Sequence, residues 1–211
     1  MKISFAITVC NELEEIKTLI PFLLENKRVE DEIVILVDIS KEDNGELRGW
    51  LNETKQSLIL KNDPIKIYED KFQGHFANWK NKLNDYCVGD YIFQIDADEM
   101  ISEYMVKHLH EILEMNKQVD LIFVPRINTV NGLTEEHVKQ WGWKVNEKGW
   151  VNFPDAQGRV FRKGMSWYGK VHERIIGGQK FSSLPLDEEY CILHHKQIGR
   201  QEKQNNFYKT I

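Results

Sequence analysis

Two periods of hydrophobicity organise the first half of the chain. "ISFAITV" (3–9) and "EIVILVD" (32–38) are unbroken, β-branched apolar runs of strand length, which predicts strands buried on both faces of a parallel sheet. Between them Leu13, Ile16, Leu19, Ile20 and Leu23 recur at helical spacing, so the segment reads as strand, helix, strand. A second helical stretch over about Leu47 to Leu60 leads to the strand "IKIYE" (65–69). A third, from about His75 to Cys87 with Phe76, Trp79, Leu83 and Tyr86 inward, feeds a strand from Tyr91 to Ile95. Ser102 is placed to cap a helix over Glu103 to Asn116, with Met105, Leu109, Ile112 and Leu113 inward, and "DLIFVPR" makes one more strand. The expected class is therefore α/β, with a central, mostly parallel sheet flanked by helices. From Asn128 to Gly158 the periodicity fails, which predicts a smaller, irregular half of the kind that forms lids and binding loops. "ILHHK" then reads as a strand end followed by a polar, locally basic helix.

Polar motifs gather where the predicted strands end. "TVCNE" follows the first, "VDISKED" closes the second, "KFQGHFANWKN" follows the third and "DADE" closes the fourth. In an open parallel sheet ligands bind beyond the carboxyl ends of the strands. Asp96 and Asp98 stand two apart, which in extended backbone puts both carboxylates on one side. A divalent cation would relieve their repulsion, Mg²⁺ commonly adding water and substrate phosphate to such a shell. A solvated turn whose carboxylates cap the next helix is the alternative.

Composition narrows the partners. A net charge of −5 argues against a nucleic-acid backbone. No apolar run reaches membrane-span length, and the amino end lacks a signal peptide's long apolar core. Cys10, Cys87 and Cys191 lie far apart in apolar surroundings and read as buried free thiols of a reducing compartment. The expected address is cytoplasmic, with peripheral attachment to a membrane left open.

In order and spacing these motifs resemble glycosyltransferase family 2, with its GT-A nucleotide-sugar fold. The resemblance rests on Asn11 and Glu12 after the first strand, Asp38 after the second, "GHFANWKN" with Gly74, Ala77 or Asn78, Lys80 and Asn81, and then Asp96 and Asp98. "DAQGRVFRKGMSWYGKVHERI" is similar to the lipopolysaccharide-core glucosyltransferase subgroup. The resemblance implies one GT-A domain over residues 1–211, with a nucleotide-binding half over 1–100 and an acceptor-side half over 101–211. It also implies a nucleotide-diphosphate sugar donor, foremost a UDP-sugar, a Mn²⁺ or Mg²⁺ cofactor, and a glycan, lipid-linked or protein acceptor. Asn11, Glu12, Asn81 and Lys203 would contact substrate, Asp38 the base, Asp96 the ribose and diphosphate, and Asp98 the metal. The usual Asp-Asp-Gly-Ser run is "DISKED" here, which unsettles nucleotide identity, and the Gln-x-x-Arg-Trp motif of processive synthases is absent.

The remaining assignments carry alternatives. Inverting transfer needs a base, and the resemblance to that subgroup makes Glu173 in "KVHERI" first choice, on a strand that would turn His172 the other way; a surface pair with Arg174 is the rival. Asp155 and Glu135 are next in line. The resemblance also implies a late histidine as metal ligand, His194 or His195; alternation lets only one of them face inward, and His194 matches the family position better. Lys80 is either a second positive group or a solvated helix lysine. Arg200 and Lys203 would either reach the diphosphate or form a solvated basic face. Trp141, Trp143, Trp150 and Trp167 would stack on an acceptor glycan or fill the core of the smaller half. A nucleotide-sugar-binding module without turnover, and a metal-dependent phosphohydrolase, are the rival functions.

Overall fold

The structure is a computed structural model that describes residues 1–41, 44–59 and 65–208. Glu42 and Asp43 of "DISKED", Leu60 at the expected end of the second helix, and the last three residues of the basic tail lie outside the described residues.

The elements run β1 (Ile3–Val9), α1 (Leu13–Asn26), β2 (Glu32–Asp38), α2 (Gly45–Ile59), β3 (Ile65–Asp70), α3 (Phe76–Tyr86), β4 (Tyr91–Asp96), β5 (Glu99–Ile101) and α4 (Glu103–Met115). They continue as β6 (Leu121–Asn131), α5 (Glu135–Trp141), β7 (Val151–Arg162), β8 (Ser166–Tyr168), β9 (Arg174–Ile176), β10 (Phe181–Ser183), β11 (Ile192–Gln197) and α6 (Ile198–Tyr208). The sheet order is β3-β2-β1-β4-β7-β6-β11-β5, with β10 beside β6; β7 and β5 run against the rest. The strands β8 and β9 form a separate hairpin.

Continuous apolar runs arise because alternate residues of one strand feed two cores. Ile3, Phe5, Ile7, Ile33, Ile35 and Phe93 face α1, α2 and α4, whereas Ala6, Val34, Leu36 and Ile92 face α3 and Trp167. Each fully buried Ile, Leu or Phe contributes about 1.5–3 kcal/mol. The chain steps outward from β1 to β2 to β3, and α3 then carries it back to β4 on the other side of β1. Since parallel crossovers are right-handed, this reversal puts α3 on the opposite face from α1 and α2. It also opens a crevice beyond the ends of β1 and β4.

The stretch from Asn128 to Gly158 is more regular than its sequence predicts. β6 runs on to Asn131, Thr134 caps α5, Gly142 ends it in a left-handed conformation, and β7 pairs back along β6. Periodicity is lost because the inward side of this β6/β7 ribbon is polar, carrying Arg126, Asn128, Asp155 and Gln157 into the crevice. Pro125 fits inside β6 where β10 stops pairing, at Phe123, before β11 starts, at Arg126. In β7 a bulge inserts Arg159: Val160 pairs Ile122 and Gly158 pairs Phe123, leaving Arg159 as the extra residue.

Candidate active site

The crevice is a cleft of about 1100 Å³. Asp96 and Asp98 enter it at the end of β4, where Thr8 of β1 is the direct neighbour of Asp96. The two carboxylates have different surroundings. Asp96 accepts from Arg159 Nη2 at 3.0 Å and meets Lys80 Nζ at 3.3 Å. Burial works against its charge, but Arg159 and Lys80 outweigh it and hold the carboxyl well below the usual range. Glu99, the third acid of the motif, is buried and accepts the Asp96 N–H at 3.0 Å and the guanidinium groups of Arg126 and Arg159 at 3.0 and 2.5 Å. It anchors cations and is closed to a ligand.

Asp98 instead faces a histidine, and the register of three strands puts it there. Arg126 of β6 is the cross-strand neighbour of Asp155 on β7, and Asn128 is the neighbour of His194 on β11. Asp155 accepts from Arg126 at 2.8 Å and from the Asn128 amide at 2.8 Å. Burial opposes its ionisation, and Arg126 keeps the carboxyl below its ordinary value, so it only accepts. Asn128 therefore turns Oδ1 to His194 Nδ1 at 2.8 Å, and Nδ1 carries the hydrogen. The Nε2 lone pair is left facing Asp98 Oδ2 at 3.3 Å. Two lone-pair carriers at that separation repel, and a cation shared between them would relieve the repulsion. Burial raises the Asp98 carboxyl while the bond to His194 and the cations of Lys196 and Arg200 bring it down to about 2.

Adjacent ligands about 2.1 Å from a divalent ion lie about 3 Å apart, so the Asp98–His194 edge suits Mn²⁺ or Mg²⁺ with oxygens from phosphate and water completing the shell. Among the described residues no group of three His, Cys, Asp or Glu converges as a metal cage, which leaves these two as the protein ligands on offer. His195 points outward to Thr129.

Glu173 reaches the cleft by a different route from the expected one. Val171 to Glu173 form a turn before β9, with Gly169 at φ 110° and His172 at φ 52°, so strand alternation does not apply. His172 packs edge-on against Tyr208. The Glu173 carboxylate bonds Lys80 Nζ at 2.7 Å, and Arg174 lies over Tyr168. Lys80 is buried between Glu173, Asp96 and the Trp167 ring, so it is a cleft residue and not a solvated lysine.

The other expected residues divide between cleft and framework. Asp38 lies in the cleft with Oδ1 accepting the N–H groups of Ser40 and Phe72 at 2.8 and 3.0 Å, and Oδ2 accepting from the Ser40 hydroxyl at 2.9 Å and the Cys10 thiol at 3.5 Å. Cys10 is only half-buried and lines the cleft, unlike Cys87 and Cys191; burial pushes its thiol up to about 11. Asn11 and Lys203 also line the cleft. Glu12 lines it too, but folds back on the Cys10 and Asn11 N–H groups and takes Arg200 at 2.6 Å. Arg200 also holds Glu15 at 2.6 Å and stands 3.6 Å from Asp98, so it fastens α6 to the start of α1. Trp167 is core, Trp141 stacks on His137, Trp150 packs on Phe153, and Trp143 reaches the cleft rim. Glu135 sits on α5 and is no part of the cleft lining.

Asn81 is set apart from the cleft. Its side chain donates to the Trp167 carbonyl at 2.9 Å and accepts the Trp167 N–H at 2.7 Å, clamping β8 onto α3. Asn81→Ala is expected to cost about 1–3 kcal/mol in urea denaturation, with nucleotide affinity nearly unchanged. A selective loss of affinity at intact stability would show instead that Asn81 meets the ligand.

Arg126, Asn128, Arg159 and Lys196 complete the cleft, and sequence reasoning gave none of them a role. "RVFR" and "ILHHK" contained two of them, but no signal marked which side chain turns inward.

An open α/β sheet reversing at β1 and β4, with paired acids at the reversal, is the architecture of GT-A glycosyltransferases. The sequence profile of glycosyl transferase family 2 matches residues 4–173, and the chain belongs to that family. Staphylococcus aureus TarS has a TM-score of 0.63 at 15% identity, over 92% of this chain and 37% of that one. TarS 1–349 in complex with UDP-GlcNAc has a TM-score of 0.58 at 15% identity, over 93% of this chain and 59% of that one. The mannosyltransferase PcManGT from Pyrobaculum calidifontis, in complex with GDP-Man and Mn²⁺, has a TM-score of 0.56 at 13% identity, over 91% of this chain and 56% of that one. At these identities the likeness is one of fold, and the chain spans well under two thirds of each of these structures. No curated protein sequence matches the chain significantly.

Proposed function

We propose that this chain is a metal-dependent, inverting, single-transfer glycosyltransferase that moves a sugar from a nucleotide-diphosphate sugar, foremost a UDP-sugar, to a hydroxyl of a glycan, lipid-linked or protein acceptor. The observation that carries the reading is the Asp98–His194 edge, two lone-pair carriers 3.3 Å apart at the reversal point of a parallel sheet. Bound there, Mn²⁺ or Mg²⁺ would neutralise the diphosphate as the sugar departs.

The side chains then divide the work. Asp38 Oδ2, held in place by Ser40, exchanges the weak Cys10 thiol for the imide N–H of a pyrimidine base. Asp96, fixed by Arg159 and Lys80, orients the ribose and diphosphate, and Asn11 closes the nucleotide side. Glu173 takes the acceptor proton, and Lys80 at 2.7 Å holds its carboxylate in place. Residues 1–100 supply the nucleotide half, and 101–211 supply the base, the histidine and the acceptor side within the same GT-A domain. Among the described residues no helix is long and apolar enough to cross a membrane. A cytoplasmic site of action, at or near a membrane carrying a lipid-linked acceptor, is part of the same reading.

Thermal-shift measurements with UDP- and GDP-sugars should show stabilisation that depends on Mn²⁺, because a ligand that binds only the folded chain shifts unfolding by mass action. Stabilisation by neither, with or without the metal, would refute the reading. Release of free sugar without an acceptor would redirect it to hydrolysis.

A further inference from the structure

Most cations that line the cleft are committed to protein carboxylates. Lys80 meets Glu173 at 2.7 Å, Arg126 meets Asp155 at 2.8 Å, Arg159 meets Glu99 at 2.5 Å and Arg200 meets Glu12 at 2.6 Å. Lys41 and Lys203 are exposed and can be neutralised by solvent ions. Lys196 is different: it is only 9% exposed, yet no carboxylate among the described residues lies within 4.0 Å of its ammonium. Its hydrogen bond goes to the neutral side chain of Gln204 on α6. Asp98 acts on Lys196 only through space, and a buried ammonium with no carboxylate in contact is costly; proteins keep such a group where a ligand supplies the nearby charge. Its position says which ligand. On β11 the inward residues are Ile192, His194 and Lys196, so the ammonium enters the cleft one inward step, about 7 Å of strand, beyond the metal-facing imidazole.

We propose that Lys196 binds the diphosphate of the donor and takes up the charge that develops on it as the sugar leaves. The assignment rests on the glycosyl-transfer reading. In the transfer the acceptor oxygen bonds to the anomeric carbon, the bond from that carbon to the phosphate oxygen breaks with its electron pair going to the phosphate, and the acceptor proton goes to Glu173. The nucleoside diphosphate leaves with one more negative charge than it carried as donor. The Lys196 ammonium meets that charge from a position only 9% exposed to solvent, where attraction is screened less than in water. Arg200, which the sequence left open with Lys203 as either a diphosphate contact or a solvated basic face, is held by Glu12 and Glu15 and fastens α6.

Calorimetric titration of wild-type protein and Lys196→Met with uridine, UDP, GDP and inorganic pyrophosphate, each with Mn²⁺, tests this. The variant should bind the preferred nucleoside diphosphate and pyrophosphate about ten- to a hundredfold more weakly and the nucleoside equally well, with Lys196→Arg recovering most of the loss. Its melting temperature without ligand should be unchanged or raised, since a buried charge with no carboxylate in contact has been removed. Equal weakening of nucleoside and diphosphate together with a lowered melting temperature would make Lys196 structural and overturn the proposal. So would unaltered UDP, GDP and pyrophosphate affinity, which leaves the glycosyl-transfer reading standing. Pyrophosphate binding through Lys196 in a protein that binds neither UDP nor GDP would sink the glycosyl-transfer reading, and with it the donor as the ligand. Should Lys196→Met not fold, the same titrations on Lys196→Gln decide by the same outcomes.

Discussion

Glu173→Gln is expected to lower kcat by about 10²- to 10⁴-fold while donor affinity stays within about twofold of wild type. The substitution keeps the volume and one acceptor oxygen, so the bond to Lys80 survives in weaker form, and Lys80 keeps Asp96 as a second partner. What disappears is the carboxylate that receives the acceptor proton, a function exercised only as the anomeric carbon is attacked. Donor affinity is to be measured by calorimetry and turnover with any acceptor that supports transfer. Near-normal turnover would remove Glu173 from the base role. Asp155 is a poor successor, because Arg126, Asn128 and Gln157 already occupy its two oxygens. Joint loss of folding and binding would make Glu173 a framework residue.

Asp98→Asn should abolish the Mn²⁺ dependence of nucleotide binding and leave the melting temperature of the free protein nearly unchanged. The amide keeps the shape but takes the anionic ligand from the edge it shares with His194, so Mn²⁺ affinity, read by electron paramagnetic resonance in the presence of UDP, should fall by more than about 100-fold. Replacing an outer partner of a metal ligand usually costs about 10- to 100-fold, and Asn128→Leu, which removes the acceptor for His194 Nδ1–H, should fall in that range. Wild-type protein treated with EDTA should behave like Asp98→Asn. If Asp98→Asn keeps metal-stimulated binding, the cation on the Asp98–His194 edge is a proton.

What could be read from the sequence depended on where apolar side chains went. β1, β2 and β4 were legible because both faces of each strand enter a core, and the sharp change to polar residues at Asn11, Asp38 and Asp96 marked the end of the sheet. The Ser102 cap followed from a local rule, whereas alternation showed only that one of His194 and His195 turns inward, and the family resemblance favoured His194. Lys80 was ambiguous because a lysine on an otherwise apolar helix stripe fits a solvated edge as well as a buried pair, and only the Trp167 ring above it decides. Asn81, one position on, belongs to the same motif yet faces the backbone of β8. The β6/β7 ribbon stayed opaque for a physical reason: its inward face meets a cleft and not a core, so alternation survives in polarity of contacts but not in hydropathy. The charge relay from Asp155 through Asn128 to His194 joins positions up to 66 residues apart and exists only in the strand register.

The extra residue in β7 ties catalysis to the length of a strand. Arg159 is unpaired in the ladder with β6, and its guanidinium is the counter-ion that Asp96 and Glu99 share. Removing one residue at this point would let β6 and β7 pair without interruption from Leu121 to Arg126, with Val160 and Phe161 still able to reach their respective cores. The ladder would gain regularity there as Asp96 and Glu99 lost the cation they share. Shortening the strand is thus an indel the scaffold can absorb and the active site cannot.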